Sequence, residues 1–213
     1  MSARVTIVDY GSGNLLSVAR ALEQCGAQQV LSHDPVSVQR ADRLVLPGVG
    51  AFADGMRGLR ENILIDSIQE FAATGRPLLG ICLGMQMLAS NSEEFGMHCG
   101  LDLIPGRVVP VPAVDVDGTP QKIPHIGWTD LVEPEAGRWR GTMFKGTVAG
   151  TSVYLVHSFH LVPDDPAHRL ADCYYGGHRI AAAAQRDNII GCQFHPEKSG
   201  SAGLRLLSAF LAL

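Results

Sequence analysis

Two rhythms of hydrophobic positions alternate along the first part of the chain. Val5 to Asp9 has the apolar run of a buried strand, and Leu15, Val18, Ala19 and Leu22 then recur on one helical face until Gly26 stops the helix. Val30-Leu31-Ser32 predicts a second strand, and Asp34-Pro35 opens a short helix. Arg43 to Leu46 predicts a third strand, ending at Pro47-Gly48-Val49-Gly50. Leu59, Ile63, Leu64, Ile68 and Phe71 fall at helical spacing and predict one long helix from Met56 to Ala73, stopped at Gly75. Pro77 to Ile81 follows as a buried strand. Four β-α units predict a parallel sheet with helices on both faces.

From Leu101 the pattern changes to strand-like runs separated by Gly and Pro: Arg107 to Val111, Lys122 to Leu131, Ser152 to Phe159, Ala171 to Tyr175, Ile180 to Gln185 and Ile189 to Phe194. These are expected to be mixed or antiparallel additions to the same sheet. Leu204, Leu207, Phe210 and Leu211 predict a covering helix at the C-terminus. No repeat, low-complexity tract or linker interrupts the pattern, which predicts one α/β domain over residues 1–213.

A length of 213 residues is enough for a full hydrophobic core without structural metals or disulfides. With 46% hydrophobic residues, 18% charged residues and a net charge of -4, the chain has the composition of an ordinary globular protein. It lacks the basic excess of a nucleic-acid binder, so a neutral small substrate or a protein partner fits better. Met1-Ser2-Ala3-Arg4 leads straight into a strand without an apolar leader, and no apolar run approaches about 18 residues, so a cytoplasmic location away from membranes is expected. Cys25, Cys82, Cys99, Cys173 and Cys192 are odd in number, scattered and without a C-x-x-C pair. They are therefore expected to be reduced thiols, mostly core fillers, with no metal site.

One cysteine stands apart. Gly80-Ile81-Cys82-Leu83-Gly84 has the layout of a nucleophile elbow with cysteine in place of serine, set between a predicted strand and a helical segment. A thiol at a helix N-terminus is favoured as thiolate, and the Leu83 amide is expected to face a developing oxyanion. On these residues alone, Cys82 can equally be a structural cysteine between glycines. A base is available far downstream in Gly191-Cys192-Gln193-Phe194-His195-Pro196-Glu197. If that segment is extended, Glu197 lies on the same side as His195 and can orient its imidazole. Gly11-Ser12-Gly13-Asn14 lacks the third glycine of a dinucleotide loop and is expected to be a strand-to-helix turn.

"PGVG", "GICLGMQ" and "FHPEKS", in that order, resemble the class I (triad) glutamine amidotransferases. Within that family, "DYGSGNLLSV", "IPHIGW" and "VHSF" resemble the glutaminase subunits of imidazole glycerol phosphate synthases. The resemblance implies a flavodoxin-like three-layer fold with a mostly parallel central sheet and antiparallel additions. It implies a cysteinyl thioester on Cys82, with His195 and Glu197 completing a triad that releases ammonia from glutamine. Val49, Gly50 and Leu83 would supply the oxyanion site, and Gly48, Gln86, His157, Ser158 and Phe159 the glutamine contacts. Asn14, His125, Trp128, Tyr154 and Lys198 would face a (β/α)8-barrel cyclase subunit in a heterodimer. That partner would use the ammonia to make imidazole glycerol phosphate and AICAR ribonucleotide in histidine biosynthesis, with no cofactor on this chain.

Two positions depart from the family pattern: Thr129 stands where Asn is common after "GW", and Phe159 where many members have Tyr. Thr129 can keep a hydroxyl hydrogen bond, whereas Phe159 leaves only backbone contacts. The glycine-flanked Val49 would be strained at positive φ, so the active geometry is expected to need the partner's help. The alternatives are the glutaminase subunit of a different synthase, against which "PHIGW" and "NLLSV" argue, and a catalytically silent regulatory module of the same fold, against which the complete triad argues.

Overall fold

The computed structural model describes residues 3–213; Met1 and Ser2, which belong to the segment read above as leader-free, lie outside the described residues. The first half comprises β1 (Arg4–Val8), α1 (Leu15–Gln24), β2 (Gln28–Ser32), α2 (Pro35–Gln39), β3 (Leu44–Gly48), α3 (Phe52–Glu61), α4 (Ile65–Ala73), β4 (Leu78–Cys82) and α5 (Leu83–Met87). The second half comprises β5 (Asn91–Ser92), β6 (His98–Cys99), β7 (Gly106–Pro110), β8 (His125–Asp130), β9 (Ser152–His157), β10 (Phe159–Pro163), β11 (Arg169–Tyr175), β12 (His178–Arg186), β13 (Ile189–Cys192) and α6 (Gly200–Leu211).

Seven strands form the main sheet in the order β11-β12-β13-β4-β3-β1-β2. Neighbours from β2 to β13 pair parallel, and β12 and β11 extend that edge antiparallel. Side chains alternate between two cores, as a pleated strand covered on both faces requires. Val45, Leu79 and Ile81 face the core beneath α1 and α6, while Leu44, Leu46 and Leu78 face the core beneath α3 and α4. Each fully buried Leu or Ile contributes about 1.5–3 kcal/mol, so the central strands β3 and β4 fix the frame from which the site loops leave.

Four expectations need correction. The predicted helix from Met56 to Ala73 is two helices. After Asn62, Ile63 takes a left-handed φ of 56° while its N–H donates to the Arg60 carbonyl (3.1 Å) and the Leu64 N–H to the Leu59 carbonyl (2.9 Å). Those two bonds close a Schellman end. Leu59 and Leu64 are buried against the core, whereas Ile63, expected on the apolar face, is 73% exposed. Second, only β11, β12 and β13 join the main sheet. The run at Arg107 to Val111 instead contributes β7 to a four-stranded sheet ordered β10-β7-β5-β6, while the run at Ser152 to Phe159 contributes β9, which forms a separate two-stranded ribbon with β8, and its last residue opens β10. Third, the run Ser152 to Phe159 breaks at Ser158, whose carbonyl accepts from the Val111 N–H. That break lets one stretch of chain serve two sheets. The C-terminal helix begins at Gly200, earlier than Leu204.

Candidate active site

Cys82 closes β4 and caps α5, with φ 55° and ψ -111°. Non-glycine residues avoid this region, and the strain persists because the surroundings impose it. Gly84 shows how tightly: a Cβ there would lie 1.8 Å from the Leu46 carbonyl oxygen. As the first residue of α5, Leu83 has an N–H without an intrahelical acceptor. The neighbouring strand end runs alongside, with Gly48 of β3 paired to Cys82.

His195 follows β13, and its Nδ1 lies 2.8 Å from Glu197 Oε1, with the two side chains 2% and 1% exposed. The segment is not extended: Pro196–Lys198 forms a 3-10 turn, so the pairing of His195 with Glu197 comes from the turn and not from strand alternation. With Nδ1 engaged, Nε2 is left for the thiol. Burial alone would depress the imidazole, but hydrogen bonding and charge from Cys82 and Glu197 outweigh it and raise its pKa to about 9. Ser199, which sequence patterning does not single out, locks this turn to the ribbon. Its Oγ donates to the His195 carbonyl (2.7 Å) and accepts from the Tyr154 N–H (3.0 Å), while the His195 N–H donates to the Tyr154 carbonyl (2.9 Å).

A cavity of about 290 Å³ opens over these groups. Val49, Gly50, Cys82, Leu83, Gln86, His157, Ser158, Phe159 and His195 line it, joined by Glu94, Pro124 and Val156. Gly48 does not line it, contrary to expectation. It sits behind the wall, where a Cβ would lie 2.6 Å from the Tyr10 hydroxyl and 2.8 Å from Leu83 Cβ, so its part is to allow close approach. Gln86 Nε2 donates to the Phe159 carbonyl (2.9 Å) and to Gln193 Oε1 (3.1 Å), and Gln193 Nε2 makes a long contact to Cys82 Sγ (3.9 Å). Gln193 is fully buried and was not anticipated; its only sequence signal is a polar residue inside an apolar run. Glu94 Oε2 accepts from the Phe52 N–H (2.6 Å) and brings a carboxylate to the cavity.

The expected docking residues separate into surface and interior. Trp128 is 59% exposed and meets Tyr154 edge-on at 6.1 Å across the ribbon, while Lys198 is exposed beside Glu197. Asn14 is half-buried at the start of α1, and its side chain makes no capping bond. His125 is not on the surface. It is 3% exposed, stacked on Tyr175 at 4.0 Å and bonded to His157 (3.0 Å), so it lies beneath the face that carries Trp128.

The remaining cysteines divide by environment. Burial and the neighbouring Asp172 charge push the Cys173 thiol up to about 12, and burial pushes Cys192 up as well, so both stay protonated. Cys25 and Cys99 are free thiols away from the cavity. Among the described residues, no group of three or more His, Cys, Asp or Glu side chains is placed to hold a metal ion, and no helix is long and apolar enough to cross a membrane.

A strained cysteine at a strand-to-helix elbow, a histidine oriented by a carboxylate and helix-opening amides beside a small cavity form the constellation of acyl-transfer chemistry. The family model for glutamine amidotransferase class-I matches residues 6–212. Imidazole glycerol phosphate synthase subunit HisH 1 of Legionella pneumophila (strain Paris) is 54% identical over 98% of this chain and 99% of its own length. The HisH subunit of Syntrophotalea carbinolica is 46% identical over 97% of this chain and 98% of its own length. Among solved structures, PurLQS from Thermotoga maritima aligns with a TM-score of 0.76 at 19% identity, covering 100% of this chain and 99% of that one. The chain therefore belongs to the class I glutamine amidotransferase family and, within it, to the HisH subunits of imidazole glycerol phosphate synthase.

Proposed function

We propose that this chain hydrolyses glutamine to glutamate and ammonia, and passes the ammonia to a (β/α)8-barrel cyclase subunit that makes imidazole glycerol phosphate and AICAR ribonucleotide in histidine biosynthesis. The observation that carries the chemistry is that Cys82, held at an elbow, and His195, oriented by Glu197 at 2.8 Å, line one cavity sized for a small amino acid.

His195 Nε2 takes the Cys82 thiol proton, and Sγ attacks the side-chain carbonyl carbon of glutamine. The raised imidazole pKa favours the thiolate–imidazolium pair this step needs. The carbonyl oxygen becomes an oxyanion facing the Leu83 N–H and, when that segment is suitably turned, an amide from Val49 or Gly50. One such donor is worth about 2.7–4 kcal/mol of transition-state stabilisation. When the tetrahedral species collapses, the C–N bond breaks and the imidazolium protonates the leaving nitrogen, freeing ammonia. Water then gives a proton to His195 and attacks the thioester carbon. The S–C bond breaks, glutamate leaves and the thiol is restored.

Glu94 is the one carboxylate among the cavity-lining residues, which suits it to the α-ammonium of glutamine. Trp128, Tyr154 and Lys198 share the side of the ribbon and turn next to the base and suit a docking face. The test is glutamine-dependent imidazole glycerol phosphate formation by this chain with the cyclase subunit. Cys82→Ala is expected to lose it by roughly three orders of magnitude or more, while added ammonia still gives product. Retention of glutamine-dependent product by the variant would overturn the assignment.

A further inference from the structure

Four polar groups run from the ribbon to the cavity wall, and their hydrogen bonds have only one self-consistent direction. The Phe159 carbonyl can only accept, so His157 Nδ1, 3.0 Å away, must carry the proton. In a neutral ring, His157 Nε2 is then an acceptor, and His125 Nδ1 at 3.0 Å must donate to it. His125 Nε2 is therefore an acceptor as well, which makes the Thr129 hydroxyl, at 2.9 Å, the donor that starts the chain. Burial holds His125 below the ordinary imidazole range and pushes His157 down to about 3, despite the opposing bond to Phe159, so both rings are neutral near neutrality. Tyr175 stacked on His125 at 4.0 Å holds the plane of that ring.

The far end of the chain reaches the substrate site. The Phe159 carbonyl that receives the His157 proton also receives Gln86 Nε2 at 2.9 Å, and Gln86 Nε2 gives its second hydrogen to Gln193. With both amide hydrogens engaged on the protein, Gln86 can offer the cavity only its carbonyl oxygen. Thr129 is adjacent to the exposed Trp128 on β8, so the near end lies next to the face suited to a partner.

We propose that Thr129, His125 and His157 are positioning residues, a one-directional chain of hydrogen bonds that fixes the Phe159 carbonyl and through it the orientation in which Gln86 presents its oxygen to the amino-acid substrate. This rests on the reading of the cavity as a glutamine site. The chain sharpens substrate affinity more than turnover, because none of its members touches the reacting carbon. Thr129 is suited to the task because a hydroxyl can turn its hydrogen toward His125 Nε2.

The experiment combines steady-state kinetics of the complex with the cyclase subunit and imidazole nitrogen NMR of the purified chain. Thr129→Val keeps the shape and removes the donor. KM for glutamine should rise about 3- to 10-fold, the size of one lost neutral hydrogen bond, with kcat changed less than about twofold, and Thr129→Ser should restore KM. In the unsubstituted chain, NMR should place the proton of both His125 and His157 on Nδ1. An unchanged KM in Thr129→Val, an equal fall in kcat, failure of Thr129→Ser to restore, or an Nε2 proton on either ring would overturn the proposal. An unsubstituted complex that hydrolyses no glutamine would sink the reading of the cavity instead, and the NMR result would still decide the tautomers.

Discussion

Cys82 and Val49 stand at the ends of adjacent strands, yet the protein holds them in opposite ways. Cys82 is 8% exposed and fixed in a strained conformation by an elbow whose Gly84 packs on the Leu46 carbonyl. Val49 is 40% exposed, just beyond the end of β3. Its carbonyl accepts from Ser12 Oγ at 3.1 Å in an exposed contact, and Gly50 beside it takes the positive φ of 95° that Val49 does not. Two residues back the contrast reverses, since the Pro47 carbonyl is gripped by the buried Tyr10 hydroxyl at 2.9 Å. In the proposed mechanism the nucleophile is preorganised by the core, while the proposed second oxyanion donor sits on an exposed segment beyond β3. Chemistry that must not drift is built on buried strands, and chemistry that must wait is built on an exposed loop.

The largest effects should come from the rigid side. Beyond the loss expected for Cys82→Ala, Gly84→Ala should break the elbow itself, because the added Cβ meets backbone that no rotamer change can move. We expect a stability loss on the order of 3 kcal/mol or more, read by denaturant unfolding, together with loss of glutaminase activity. A well-folded, active Gly84→Ala protein would show that the elbow is softer than its packing implies.

Glu197→Gln addresses the base. Burial works against the His195 imidazolium, but its partners carry the pKa to about 9, above the unfolded value near 6.5. A raised pKa stabilises the fold fully below about pH 6.5 and loses that contribution as pH rises through about 9. Removing the Glu197 charge lowers the folded pKa, so the stability advantage of the unsubstituted chain over Glu197→Gln should be greatest below pH 6.5 and shrink toward pH 9. Thermal unfolding of both proteins across that range checks it. A gap that widens with pH would mean that Glu197 does not support an imidazolium.

The same division governs what could be read from sequence. The central strands β3, β4 and β13 and Cys82 were legible because burial on both faces forces apolar runs, and because glycines mark a turn that only small residues permit. The break at Ile63 was hidden, since a left-handed helix end normally announces itself with Gly or Asn and here a β-branched residue occupies it. The separate ribbon of β8 and β9 was also hidden, because alternation along a strand says which side is buried but not which sheet receives it. At the site, resemblance pointed to most of the residues that line the cavity, but it included Gly48, which does not line it, and passed over Glu94, Pro124 and Val156, which do. It did not reveal Ser199, Gln193 or the depth of His125, whose parts depend on hydrogen bonds between segments far apart in sequence.

The smallest effect should be the one that separates the two halves of the comparison most cleanly. Ser12→Ala removes a hydroxyl whose hydrogen-bond partner among the described residues is the Val49 carbonyl, in an exposed contact. An exposed neutral hydrogen bond contributes little to stability, so the melting temperature should shift by less than about 2 °C. If that bond holds the Val49–Gly50 peptide in its resting orientation, releasing it should raise glutamine turnover by the chain without its partner roughly two- to threefold. Turnover in the complex should stay unchanged if, as proposed, the partner sets the peptide there. A drop in turnover both with and without the partner would instead make Ser12 a support of the active orientation, and the contrast between the fixed nucleophile and the waiting amide would have to be drawn at Gly48 and Tyr10.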